Sequence, residues 1–176
     1  VYPQPLLSSL AFDTTGNMIL GIRDRFGDQM GNQVPSNPAT PANLYYGIAA
    51  GDTLRACGNP SGGWTLENNA RCGGTGTGPQ GDGQGPGGGE FYFRDEYMPY
   101  HQEVSLGAVA QIPGFPDVIA ATYNPIPIDG NSDASFDGGV RWWSNTAGSF
   151  TKGYRVYNGD LAQGNLFGKA AGLGDL

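Results

Sequence analysis

Residues Asp129-Gly130-Asn131-Ser132-Asp133-Ala134-Ser135-Phe136-Asp137 set carboxylate and amide oxygens at alternate positions along a loop. Hard oxygen ligands on such a loop are what Ca²⁺ requires. Asp129, Asn131, Asp133 and Asp137 are therefore the candidate metal ligands, with calcium as the ion. The first three match the opening of an EF-hand loop. The sixth position is Ala134 rather than glycine and no Glu stands at the twelfth, so the EF-hand itself is rejected. The competing reading is a polar loop that joins two strands and binds nothing.

Two cysteines, Cys57 and Cys72, stand 15 positions apart. In an oxidising compartment they would close the segment around Trp64, a link worth about 3 kcal/mol in the chain-entropy account. Two unrelated buried thiols are the alternative. Zinc is excluded, because two thiols and the lone His101 do not supply four ligands. The carboxylates Glu67, Glu90, Asp95, Glu96 and Glu103 have the chemistry of a glycoside hydrolase pair, but spacing alone places no two of them at a working separation. No Gly-x-Ser-x-Gly elbow supports a serine triad. Trp142 and Trp143 are adjacent on a strand and must face opposite ways. They are candidate sugar-stacking or subunit contacts, together with Tyr97 and Tyr100.

The elements that would hold these groups are short strands. Leu10 and Phe12, a Thr14-Thr15-Gly16-Asn17 turn, then Met18, Leu20 and Ile22 form a hairpin pattern, with the alternating apolar residues expected on a buried face. Val104, Leu106, Ala108 and Ala110, a Pro113-Gly114 turn, then Val118 to Tyr123 repeat it. Leu44 to Cys57 with Trp64 to Leu66, and Val140 to Ser144 with Tyr154 to Tyr157, supply a second strand pair to each half. The segment 24–43, with Pro35, Pro38 and Pro41, reads as a surface loop. Residues 73–89 are a Gly-rich flexible linker or exposed loop, and Phe91 and Phe93 alternate with Tyr92 and Arg94 as in a short strand. Four short antiparallel strands, repeated, are the pattern of propeller blades. The expected organisation is one all-β, propeller-like region over 1–176. A first blade-like unit spans 6–68, the Gly-rich loop 73–89, a second unit 90–158 and the start of a further unit 159–176. Two blades cannot close a ring, so their open edges require neighbours.

Composition agrees with a turn-rich all-β chain: 31 glycines, 13 prolines and moderate apolar content. The net charge of −7, with nine scattered basic residues, excludes a nucleic-acid backbone as partner. No run approaches the ~20 apolar residues of a membrane-spanning helix. Val1 opens a Pro-rich segment with no initiator Met, which reads as removal of something upstream.

Several stretches resemble a known group of proteins. They are Ser9 to Gln29, Gly87-Gly88-Gly89-Glu90-Phe91-Tyr92-Phe93, Gly139-Val140-Arg141-Trp142 and Gly168 to Leu176. All are similar to the propeller-like region of very large secreted bacterial surface proteins that carry SdrD B-like, immunoglobulin-type modules. The resemblance covers most of the chain in patches. It implies an extracellular or cell-surface location in bacteria and a β-propeller architecture, and it supplies no catalytic residues. The reading is a non-catalytic structural or adhesive unit, with no required cofactor, packing against the rest of a larger polypeptide or against copies of itself. A carbohydrate-binding module that stacks glycans on exposed Trp and Tyr is the alternative. A polysaccharide-active enzyme on a propeller scaffold is a second alternative.

Overall fold

The computed structural model describes residues 4–30, 34–35, 44–45, 51–72, 75–76, 83–96, 103–126, 137–158 and 176. Pro5–Phe12 (β1) and Met18–Asp24 (β2) form the first hairpin. A six-residue helix, Arg25–Met30 (α1), follows directly. The hairpin turn is organised by a residue outside the expected tetrapeptide. Asp13 accepts hydrogen bonds from the backbone and hydroxyl of Thr15 and from the backbone and side-chain amide of Asn17. Burial pushes the Asp13 carboxyl up, and the hydrogen bonds from Asn17 and Thr15 together outweigh it and hold the group below its ordinary value.

Val34–Pro35 (β3) and Leu44–Tyr45 (β4) pair as a small separate ladder. Of the expected strand over Leu44 to Ile48 and Leu54 to Cys57, interrupted near Gly51-Asp52, Leu44–Tyr45 belongs to this small ladder, and the expected loop 24–43 contains α1 and β3. Pro35 is compatible with β3 because a two-residue edge ladder asks little of its missing N–H. Asp52–Gly58 (β5) and Trp64–Leu66 (β6) complete the first main sheet, in the order β1-β2-β5-β6. Arg71–Cys72 (β7) pairs with Thr75–Gly76 (β8). Ser105–Gln111 (β9), Asp117–Tyr123 (β10), Gly138–Ser144 (β11) and Phe150–Tyr157 (β12) form the second main sheet, in the order β12-β11-β10-β9. Both sheets are antiparallel meanders.

The sheets meet where β9 lies against β1 and β2. Gly21 on β2 approaches Gly107 on β9 so closely that a methyl group at Gly21 would overlap the Gly107 carbonyl. Gly107 itself has φ +83°, a conformation glycine adopts without strain. A bulge in β1 between Leu7 and Ser9 turns Ser8 toward this seam. Its Oγ lies 3.0 Å from Gly21 O and 2.9 Å from Gly107 O, so one hydroxyl is shared by carbonyls of both sheets. Ser9 Oγ donates to Val109 O as well. The shared core contains Ile19, Val109, Val118, Ala120 and Trp143, plugged by Phe91 and Tyr92 from the connector. Beyond β9 and β10 a second cluster, Val104, Leu106, Ala108, Ala121 and Tyr123, buries the other face of the second sheet.

This packing reverses the expected orientation of the first hairpin. The inner face carries small residues and Ile19, because β9 comes so near. The large apolar residues point away. The register sets Leu10 beside Leu20 and Leu54, and Phe12 beside Met18, Ala56 and Leu66. Phe12, Leu10 and Leu66 are exposed.

Part of the Gly-rich tract is also ordered. Gly85 and Gly88 bridge, Gly89 O accepts from Ala70 N, and Gly89 N donates to Asn69 Oδ1. Gly85 and Gly89 are buried, so this portion packs rather than floats. The expected strand at Phe91 to Arg94 is replaced by irregular chain. Phe91 and Tyr92 are consecutive yet both buried, and Phe93 makes one isolated parallel bridge to Ser149.

Gly21→Ala is expected to destabilise the protein by about 1–3 kcal/mol through overpacking at the seam. Thr146→Ala, on an exposed turn, should change stability by less than about 0.5 kcal/mol. Urea unfolding of both variants checks this, and an unchanged midpoint for Gly21→Ala contradicts the close approach.

Candidate cation site

The connector 83–96 is held in place by groups from both sheets. Glu67, just past β6, accepts from Arg55 N at 2.7 Å with one oxygen and from Phe91 N at 2.6 Å with the other. Phe93 N donates to Gly148 O, and Trp143 Nε1 donates to Phe93 O at 2.9 Å. Arg141, fully buried on β11, donates through Nη1 to Arg94 O at 2.6 Å and through Nη2 to Asn124 O at 2.6 Å. Arg94 and Asn124 have φ of 67° and 38°, unusual for residues with side chains, and the guanidinium fixes both carbonyls.

This clamping brings four carboxyl groups together. Asp52 opens β5, next to the Gly51–Ser105 bridge that joins the two sheets. Glu90 and Asp95 lie on the connector. Glu103 stands two residues before β9. One oxygen from each of Asp52, Glu90, Asp95 and Glu103 lies within 4.8 Å of all the others. Glu90, Asp95 and Glu103 are buried and Asp52 is partly so. Burial, then the charges of Asp95, Asp52 and Glu90, push the Glu103 carboxyl far above the ordinary range. Burial lowers Arg141 to about 10, opposed by the nearby Asp95, Glu96 and Glu103. Arg141 is thus a buried guanidinium beside a cluster of buried carboxyl groups.

The residues singled out by sequence fall in different places. Cys57 and Cys72 are joined as a disulfide, with Cα atoms 5.8 Å apart. Asp129, Asn131 and Asp133 lie outside the described residues, as do Tyr97 and Tyr100. Asp137 is described and fully buried, and its Oδ2 is 2.6 Å from Arg155 Nε. Trp143 fills the core. Trp142 is half-buried on the opposite face, with the Lys152 ammonium 4.8 Å from its ring centre. Of the carboxylates considered for sugar chemistry, Glu90, Asp95 and Glu103 converge. Glu67 instead ties β5 to the connector. Asp52 was not singled out. Its one signal is the break at Gly51-Asp52, where the chain turns into β5.

The fold and the site define an all-β unit of two four-stranded antiparallel sheets with a buried carboxylate cluster near their junction. The chain is 37% identical to Colossin-A of Dictyostelium discoideum over 187 residues, which is 99% of this chain and 2% of that protein. It is 32% identical to Colossin-B of the same organism over 183 residues, 99% of this chain and 4% of that protein. Colossin-D is 30% identical over 98% of this chain and 17% of its own length. The chain thus spans a small fraction of these relatives. No protein-family model matches the chain, and no solved structure matches it. The resemblance to bacterial SdrD B-carrying surface proteins is corrected by these relatives, which come from a eukaryote. The stretches quoted for it cover the chain only in patches, whereas these relatives align over 98–99% of it. Among the described residues no helix is long and apolar enough to cross a membrane.

Glu67 supplies a pH test. Burial raises it from 4.5 to about 7, against the lowering effect of hydrogen bonds from Arg55 and Phe91 and of the Arg55 charge. The folded state then holds a proton that the unfolded state has lost between these values. Stability from this group is complete below about pH 4.5 and is lost as pH rises through about 7, by roughly 3 kcal/mol. Denaturant unfolding from pH 4.5 to 7 should show a shallower fall in Glu67→Gln than in the parent. Equal slopes contradict the assignment.

Proposed function

We propose that the chain is a non-catalytic structural or adhesive unit of a long extracellular protein, a propeller-like pair of blades that packs against a further β-sheet. The observation that carries this reading is the outward face of the first sheet. Leu7, Leu10, Phe12, Trp64 and Leu66 are each between 43% and 55% exposed. Phe12 and Trp64 rings stand 5.7 Å apart on that face. A contiguous apolar sheet face is rarely left to water in a monomer, because covering it contributes about 25 cal/mol for each Å² removed. The inner face of the same sheet is already covered by a meander, and a second meander on the outer face is the matching occupant. It comes from the same polypeptide or from another copy. The great length of Colossin-A and Colossin-B relative to the aligned segment supports the first source. The Cys57–Cys72 disulfide supports an oxidising location.

A glycan-binding reading is favoured by the exposed Phe12–Trp64 pair, which is a stacking platform. An enzyme reading is not carried forward, because Glu90, Asp95 and Glu103 are too deeply buried for a polysaccharide to reach.

Residues 1–176 alone are expected to sediment as species larger than the 18.4 kDa monomer. Phe12→Lys combined with Leu66→Lys should shift them to monomer. A sharp monomer boundary with cooperative melting in the parent contradicts the reading. Saturable binding on a glycan array, lost in Trp64→Ala without change in association, favours the alternative.

A further inference from the structure

We propose that Asp52, Glu90, Asp95 and Glu103 bind a calcium ion that ties the two sheets and the connector at one point. This inference stands apart from the apolar face and does not depend on it. All four ligands offer oxygen, the hard donor set of Ca²⁺ rather than of zinc or copper. Calcium bonds of about 2.4 Å put opposed ligands about 4.8 Å apart, whereas magnesium at about 2.1 Å draws them to about 4.2 Å. The four oxygens all lie within 4.8 Å of one another, a span that a calcium ion can bridge.

A second observation points to a cation. Glu103 is only 5% exposed, and neither of its oxygens receives a hydrogen bond from a donor among the described residues. The polar group set against it is the Asp95 carboxyl, itself an acceptor when ionised. A buried carboxylate facing carboxylates is costly unless a positive charge enters between them. Arg141 does not fill that role, since three of its nitrogens are engaged with the carbonyls of Arg94 and Asn124. A doubly charged ion is the complement of the Glu103 oxygens, which face the other carboxyl groups of the cluster.

The ligands come from structurally distinct segments. Asp52 belongs to the first sheet, Glu103 to the entry of the second, and Glu90 and Asp95 to the connector. An ion bound there cross-links the junction that the glycine seam forms nearby. None of these four residues belongs to the Asp129–Asp133 segment singled out in the sequence. Asp137, the last oxygen residue of that loop, is engaged by Arg155.

The test is calcium titration of the chelator-treated chain by calorimetry, with thermal melting in parallel and magnesium as the comparison. The expected result is saturable binding of one calcium per chain and a higher melting temperature. Glu103→Gln and Asp95→Asn should each weaken binding by roughly tenfold or more and lose the calcium-dependent rise. In chelator Glu103→Gln should melt no lower than the parent, because without the ion the amide replaces a carboxyl that burial and its acidic neighbours already hold neutral. This separates a lost ligand from a lost fold. The double variant Asp129→Asn, Asp133→Asn should keep full affinity. Absence of calcium binding by the parent overturns the proposal. So does equal or tighter binding of magnesium, or binding that survives Glu103→Gln and disappears in the Asp129, Asp133 double variant.

Discussion

The contact on which this structure depends is the approach of one backbone to another, β9 against β2, at Gly21 and Gly107. Side chains of ordinary size would hold the sheets apart by their own width. Here the absence of a Cβ lets the carbonyl of one strand sit where a methyl would have been. The Ser8 bulge then supplies a hydroxyl to the carbonyls on both sides. Close approach dictates the composition of the inner face: Ser9, Ala11, Gly21 and Thr53, with Ile19 reaching into the common core. It also leaves the bulkier residues of the same strands with only one direction to take, which is outward.

The connector between the sheets follows from the same geometry. Two sheets meeting along a narrow seam leave an opening beside it, and Phe91, Tyr92 and Trp143 fill that opening. Holding irregular chain in a core requires partners for its backbone groups. Glu67, Arg141 and the Trp143 indole supply them. The Arg141 fork is suited to this because its planar donors reach two carbonyls at once. The acidic side chains carried into the junction are a consequence of that ordered connector. Their burial beside Arg141 makes the junction an electrostatic feature as well as a steric one.

The strand hairpins were legible because their period-two alternation and their turn residues agree with each other. Leu10 and Phe12 before Thr14-Thr15-Gly16-Asn17, and Val118 to Tyr123 after Pro113-Gly114, mark strands that the structure contains. The direction in which the first hairpin faces was not legible. Alternation identifies two faces but not which one meets the core, and the usual preference for large apolar residues inside fails where glycines admit a neighbouring backbone. The disulfide was readable from the spacing of Cys57 and Cys72 about Trp64. The carboxylate cluster was not, because Asp52, Glu90, Asp95 and Glu103 are joined only through tertiary packing. The Gly-rich composition of 83–89 concealed order, since the same glycines that loosen a free chain allow tight backbone packing against Asn69 and Ala70.

The most direct measurement is a nuclear Overhauser spectrum of the folded chain, read at the Gly21 Hα protons. The account predicts strong cross-peaks to the Val109 methyls and to the Gly107 backbone, because β9 lies directly on β2 at that point. Cross-peaks from Gly21 confined to its own sheet, to Ser9 on β1 and Thr53 on β5, would contradict it.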